Sequence, residues 1–168
     1  MLDINLIDKK FLQKHHFDKI DYEQTYNKAN YRIKPGDIIP DSDKEKLTKL
    51  RGKIRDLFAR TFARESGRID YGEVQLKTGV SYETIKKFLA GKTNISRPVL
   101  GGIVIGANLS LDEANELFIL HGHSLDPENV LLDCIIHCAI RDNDDYWEYL
   151  DICDHYKVDT KRTHKEWK

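Results

Sequence analysis

The segment from residue 71 to residue 92 constrains the fold more than any other part of the chain, because it is patterned as two short helices joined by a turn. Gly79 stands where the first helix would end, and glycine readily adopts the left-handed conformation that closes a helix. Ser81 can cap the second helix by accepting from a backbone N–H. Ile85 and Phe88 then recur at core spacing. The pattern predicts a packed helix pair with an outward face on the second helix.

Apolar periodicity and capping signals predict further helices on both sides of this pair. Upstream, apolar residues recur every three or four positions between residues 47 and 62. Downstream, residues 96 to 98 place a serine and a proline where another helix would begin. Ser110 and Glu113 then have the spacing of a capping box. With the helix pair, these signals predict five helices.

The C-terminal part is predicted to add more helices. Asp126 followed by Pro127 indicates a cap and a first helical turn before an apolar run that reaches Ile140. A last helix is expected over about residues 144 to 156, acidic on its outer side. Its predicted inner residues are Tyr146, Trp147, Leu150, Ile152 and Cys153. The chain as a whole therefore indicates an all-α fold.

The spacing of the helix pair resembles the helix-turn-helix of the Cro/C1-type repressors, also called the XRE family. The turn Thr78-Gly79-Val80-Ser81 is the most specific part of the match, and Ala90-Gly91-Lys92 closes it. The resemblance covers roughly residues 43 to 118. One position departs from the family pattern, because Gln75 stands where the first helix normally has a small alanine packed against the second.

The resemblance implies a fold and a function. Residues 42–120 would form a five-helix, repressor-like helix-turn-helix domain, preceded by an N-terminal arm or short helices over 1–41. Outside the range of the resemblance, the helical pattern and acidic charge of residues 121–168 predict an extension for dimerisation or for a protein partner. The family expectation is a sequence-specific transcriptional regulator of the repressor type. It would bind double-stranded DNA as a homodimer, with the 81–89 helix in the major groove.

The predicted DNA contacts follow from the same resemblance and from the outward face of the second helix. Lysine can donate to guanine and glutamate can accept from cytosine in the major groove, whereas contacts to phosphates position the protein. Tyr71 has the family position of a phosphate contact. The face of the second helix supplies Ser81, Tyr82, Glu83, Lys86 and Lys87, and the basic, polar loop after it supplies Lys92, Thr93, Asn94 and Arg97.

Positive charge is concentrated around the helix pair, although the whole chain carries a net charge of only −1. Residues 43 to 97 contain 14 Lys and Arg against 7 Asp and Glu, a net charge of +7. Residues 98 to 168 contain 6 against 14, a net charge of −8. Because Lys and Arg supply most of the non-specific affinity for DNA, this distribution favours a nucleic-acid partner at the helix pair.

Other chemistry has weaker support in the sequence. Cys134, Cys138 and Cys153, with His137 and His155, could close a zinc site between two helices, but the same spacing is typical of a buried helix face. We therefore expect no metal and no cofactor. The glycines at positions 101, 102 and 106 lack the Gly-Lys-Ser/Thr of a phosphate loop and indicate close helix packing instead. No catalytic set has a distinctive spacing, so we expect no enzyme.

The remaining alternative is a protein-interaction module, such as an antitoxin-like or phage-associated protein that binds a partner through the acidic C-terminal helices and residues 1–41. The chain start lacks the basic region of a signal peptide, and no apolar run approaches the roughly 20 residues that span a bilayer. We therefore expect a cytoplasmic protein that does not bind membranes. The odd number of cysteines, 3, indicates reduced thiols.

Overall fold

The computed structural model of the chain describes residues 41 to 160, with side chains from residue 44 onward. Over this span the chain forms seven α-helices and one isolated antiparallel bridge between Ala63 and Ile69, which confirms the all-α prediction. The predicted N-terminal segment, residues 1–41, lies outside the described residues except for its last residue. The helices are α1 (Asp41–Thr61), α2 (Tyr71–Thr78), α3 (Tyr82–Leu89), α4 (Arg97–Gly106), α5 (Leu111–His121), α6 (Leu131–Asp142) and α7 (Tyr146–His155).

Helix α1 is the long element on which the first half of the core is built. Its predicted apolar stripe is confirmed, because each of its residues is at most 3% exposed. The stripe packs mainly against α5 and also against α3. Its members are Leu47, Leu50, Ile54, Leu57 and Phe58 in α1, and Phe62 directly after it.

Helices α2 and α3 are joined by the predicted turn, and the local signals act as expected. Gly79 ends α2 in the left-handed conformation, with φ of 68°. Ser81 precedes α3 in extended conformation, and its hydroxyl oxygen accepts from the backbone N–H of Thr84 at 3.1 Å. Asp70 caps α2 by accepting from the N–H of Glu73. The turn is therefore fixed by its own residues.

Helix α4 lies at the centre of the molecule, and its glycines let neighbouring elements approach on two sides. A Cβ on Gly106 would overlap the carbonyl of Lys77 in α2 and lie 2.9 Å from the Cα of Thr78. On the other side, a Cβ on Gly101 would lie 2.8 Å from both Ile136 and Tyr149. The prediction that these glycines permit close helix packing is confirmed.

The C-terminal helices begin later than the sequence predicted. Residues 126 to 129 form a turn in which the carbonyl of Asp126 accepts from the N–H groups of Asn129 and Val130, and α6 begins only at Leu131. Helix α7 begins at Tyr146, after a capping box between Asp145 and Glu148. The predicted interior position of Trp147 is wrong, because this side chain is 54% exposed.

One hydrophobic core runs through all seven described helices, from Leu47 in α1 to Val158 after α7. Tyr149 is fully buried in it, and its hydroxyl donates to the carbonyl of Pro98 at 2.9 Å. Tyr146 packs against the turn between α2 and α3, since a Cβ on Gly79 would overlap its ring. The C-terminal helices are therefore packed directly behind the helix pair. No helix between residues 41 and 160 combines the length and apolar character needed to cross a bilayer.

Candidate nucleic-acid interface

Helix α3 has one buried face and one exposed face. Ile85 and Phe88 are fully buried, and they pack the helix against α1 and α2. The opposite face is open to solvent along the whole helix. This exposed face consists of Tyr82, Glu83, Lys86, Lys87 and Ala90.

Both ends of α3 are held by side chains from neighbouring helices. At the start, the amide oxygen of Gln75 accepts from the N–H of Tyr82 at 3.3 Å. The side chain of Gln75 is exposed, so it caps α3 instead of occupying the space between the two helices. At the end, Arg55 of α1 donates to the carbonyl of Leu89 at 3.0 Å. The exposed face is thus presented by a helix that has side-chain hydrogen bonds at both ends.

The charges on this face are arranged so that its acidic residue is paired within the same helix. Glu83 and Lys87 form an ion pair at 3.0 Å, one helical turn apart. Lys86 lies over the ring of Tyr82, 5.3 Å from the centroid. Lys92, just beyond the helix, is exposed as well. With Glu83 offset by Lys87, the face has a net positive charge.

The polar loop after α3 is only partly accessible. Lys92 is exposed, whereas Thr93 and Asn94 are half-buried. The side-chain oxygen of Asn94 accepts from Arg51 of α1 at 3.5 Å, a long hydrogen bond. Arg51 also lies 5.8 Å from the centroid of the Phe88 ring. The loop is therefore held against α1, with Lys92 as its outward charge.

Tyr71 and Tyr82 join the start of α2 to the start of α3. Their rings meet edge to face, with centroids 5.0 Å apart. Tyr82 lines two open depressions: one runs along α3 to Lys92, and the other runs towards α1 beside Tyr71. The second depression also contains Arg64 and Arg68, which the motif-based prediction did not include. Their positive charge was visible in the sequence, but their position beside Tyr71 depends on the turn between α1 and α2.

The prediction that Arg97 belongs to an exposed, basic loop is corrected by the structure. Arg97 is the first residue of α4 and is only 1% exposed. Its guanidinium forms a bidentate ion pair with the equally buried Asp133 of α6, with N–O distances of 2.9 and 2.8 Å. It also donates to the carbonyl of His123 and lies 4.7 Å from the centroid of the Phe118 ring. The other nine predicted residues lie on or beside the exposed face, whereas Arg97 belongs to the core.

The cysteines lie in the core and not at this surface. Cys134, Cys138 and Cys153 are all buried with free thiols. A hydrogen bond with Cys134, together with burial, raises the pKa of Cys138, and burial raises the pKa of Cys153. Metal ligation needs the thiolate, which this environment disfavours. Within residues 41 to 160, no group of three or more Cys, His, Asp or Glu side chains is placed to hold a metal.

Comparison of the chain with models of protein families, with curated proteins and with solved structures gave no match.

Proposed function

We propose that this protein is a sequence-specific, DNA-binding transcriptional regulator of the helix-turn-helix type. The observation that carries the proposal is the exposed face of α3, which presents Tyr82, Glu83, Lys86 and Lys87 to solvent while its opposite face is packed on α1 and α2. The arrangement of α2, turn and α3 supports a five-helix, repressor-like unit over α1 to α5. The concentration of positive charge between residues 43 and 97 supports the same function.

The dimensions of α3 suit the major groove. An α-helix with its side chains is about 10 to 12 Å across, which fits the roughly 12 Å width of that groove in B-DNA. The exposed Ala90 adds no bulk at the end of the face. In this arrangement Lys86 and Glu83 are the candidates for base contacts, and Tyr71, Lys87 and Lys92 approach the phosphates.

A homodimer would give this unit its specificity. Two copies related by a twofold axis would place their α3 helices in successive major grooves, about 34 Å apart, on a pseudo-palindromic site. The acidic extension packs behind the helix pair through Tyr146, and we propose it for the dimer contact or for a second protein. The proposed partners are therefore double-stranded DNA and a second copy of the chain.

Selection of binding sequences from random duplexes, followed by affinity measurements over a salt series, tests the proposal. We expect a palindromic consensus. We also expect the logarithm of the association constant to fall linearly with the logarithm of the salt concentration, with a slope of about −0.9 per neutralised phosphate. Failure to enrich any sequence, together with undetectable binding at low salt, would refute the proposal.

Substitutions of two lysines are expected to affect DNA binding in different ways. Lys86→Ala should relax the base preference at one position of each half-site, because its ammonium is placed to contact a base edge. Lys92→Ala should weaken binding to all sequences alike, since Lys92 is expected to contact only the backbone. Repeating the selection with each variant measures both effects. Lys53→Ala is the matched control, because Lys53 faces Glu116 of α5 at 3.6 Å and should leave both properties unchanged.

The alternative function, a protein-interaction module, is favoured by one observation. Trp147 is 54% exposed on α7, a helix whose outer side is acidic. A large exposed aromatic side chain on a charged helix is typical of protein interfaces. The two functions separate in the selection experiment, because a module that binds only protein would enrich no DNA sequence.

A further inference from the structure

The turn between α1 and α2 contributes two arginines, Arg64 and Arg68, to the depression beside the face of α3. We infer that Arg64 and Arg68 in this turn bind phosphates of the DNA backbone on the flank of the sequence read by α3. This inference rests on the proposed function, and it adds two residues that the motif did not indicate.

The turn is a short, hydrogen-bonded hairpin that places the two arginines opposite each other. The N–H of Arg64 donates to the carbonyl of Arg68 at 2.7 Å, and the N–H of Asp70 donates to that of Phe62 at 2.6 Å. Gly67 closes the hairpin with a φ of 84°, a left-handed conformation that suits glycine. Because the backbone is held in this way, the arginine pair is presented from a defined scaffold.

The charges in the hairpin leave the arginines available for a phosphate. The Arg64 side chain is 63% exposed and lies 3.7 Å from a carboxylate oxygen of the half-buried Asp70, a long contact open to solvent that contributes little. Within residues 41 to 160, Arg68 forms no ion pair. Asp70 is also engaged as the cap of α2. Guanidinium groups match phosphates with two parallel hydrogen bonds, so this pair suits a phosphate better than a lysine pair would.

The hairpin surface is continuous with the face of α3. Arg64, Arg68, Tyr71, Gln75 and Tyr82 line one depression, and Tyr82 also lines the depression along α3. Tyr82, which both depressions share, contacts the ring of Tyr71 edge to face. A duplex whose major groove holds α3 would therefore bring a flanking backbone strand against the hairpin.

The double variant Arg64→Ala/Arg68→Ala tests the inference on the duplex selected by the full-length protein. Its affinity should fall at least tenfold at physiological salt, and its salt slope should decrease by about 2, as expected for two lost phosphate contacts. The selected consensus should stay the same. Arg60→Ala is the control, because Arg60 pairs with Glu113 of α5 at 3.3 Å and does not line the depression. Circular dichroism checks that each variant is folded.

A scan with neutral methylphosphonate linkages locates the contact. In the wild-type protein, substitution at one or two flanking linkages should weaken binding, and the double variant should be insensitive at those same linkages. If the wild type binds the duplex and the double variant keeps its affinity, salt slope and linkage sensitivity, this inference is overturned while the proposed function stands. If the wild type binds no duplex, the proposed function fails first.

Inorganic phosphate, added at constant ionic strength, separates a DNA phosphate from a free one. Because one free phosphate replaces only one of the contacts that a duplex makes, we expect it to inhibit the wild type only weakly. Complete, saturable inhibition of the wild type but not of the double variant would assign the arginine pair to a free phosphorylated ligand and would overturn the assignment to the duplex backbone.

Discussion

Gly79 is important to two parts of the fold. Its φ of 68° lies in the left-handed region, and a Cβ at this position would also overlap the ring of Tyr146. The residue therefore serves two purposes: it ends α2, and it admits the C-terminal helix α7 behind the turn. A side chain here would disturb both the helix pair and its support.

Gly79→Ala is expected to lower the free energy of unfolding by about 2 to 4 kcal/mol, from left-handed strain and from the displaced Tyr146. Gly52→Ala is the matched control, because Gly52 lies inside α1 and a Cβ there would meet no atom within 4 Å. That control should raise the free energy of unfolding by about 0.5 to 1 kcal/mol, since alanine favours a helix interior. Urea unfolding measures both. Equal effects would contradict the packing of Tyr146 on the turn.

His121 gives the molecule a defined response to acid. It is buried at the end of α5, and its Nε2–H donates to the carbonyl of Ile95 at 2.8 Å. Burial, reinforced by the charge of Arg97, lowers the pKa of His121 to about 4. An unfolded histidine has a pKa of about 6.5, so the unfolded chain takes up a proton first as the pH falls. The stability that neutral His121 provides is therefore complete above pH 6.5 and is lost towards pH 4.

Between pH 7 and pH 4, this residue should account for a loss of about 3 kcal/mol in the free energy of unfolding. His121→Gln should remove most of that pH dependence, whereas the same change at the exposed His155 should not. Urea unfolding at several pH values gives the slopes. If the two variants had the same slope, protonation of His121 would not be the cause.

At the scale of the helices, the sequence correctly predicted the features that depend on residues close together in the chain. The left-handed Gly79, the Ser81 cap and the Ser110–Glu113 capping box are all present, because each depends on residues within one turn of helix. The predicted start of α6 was wrong, because residues 126 to 129 form a turn instead. In this turn the carbonyl of Asp126 accepts from the N–H groups of Asn129 and Val130. In the candidate site, the periodicity of the sequence predicted the exposed face of α3. It could not predict that Arg97 is buried away from this face, because the burial depends on an ion pair with Asp133 in α6.

The orientation of α7 was also set by distant partners. The helix turns Tyr149 inward, where its hydroxyl meets the carbonyl of Pro98, and leaves Trp147 half exposed. Tyr149→Phe should lower the free energy of unfolding by about 1 to 2 kcal/mol, because the buried hydrogen bond to the Pro98 carbonyl is lost. Trp147→Ala should change it by less than about 0.5 kcal/mol. The reverse order in urea unfolding would support the inward Trp147 that the sequence suggested.

At the scale of the whole molecule, the two halves of opposite charge share one core and one buried ion pair. Arg97 brings a positive charge from the basic half, and Asp133 a negative charge from the acidic half, with exposures of 1% and 0%. The carboxylate of Asp133 also accepts from the N–H of Asp126 at 2.8 Å. The pair thus ties α4, α6 and the turn before α6 together. Breaking it should destabilise the molecule as a unit.

A double-mutant cycle measures this connection. Arg97→Met and Asp133→Leu should each lower the free energy of unfolding by about 3 to 5 kcal/mol, because each leaves a buried charge without its partner. The double variant should lose much less than the sum, since it leaves neither charge behind. Because Arg97 lies in the core, a folded double variant should also bind DNA as the wild type does. Normal stability with weakened DNA binding in Arg97→Met would instead restore Arg97 to the DNA contacts that the sequence predicted.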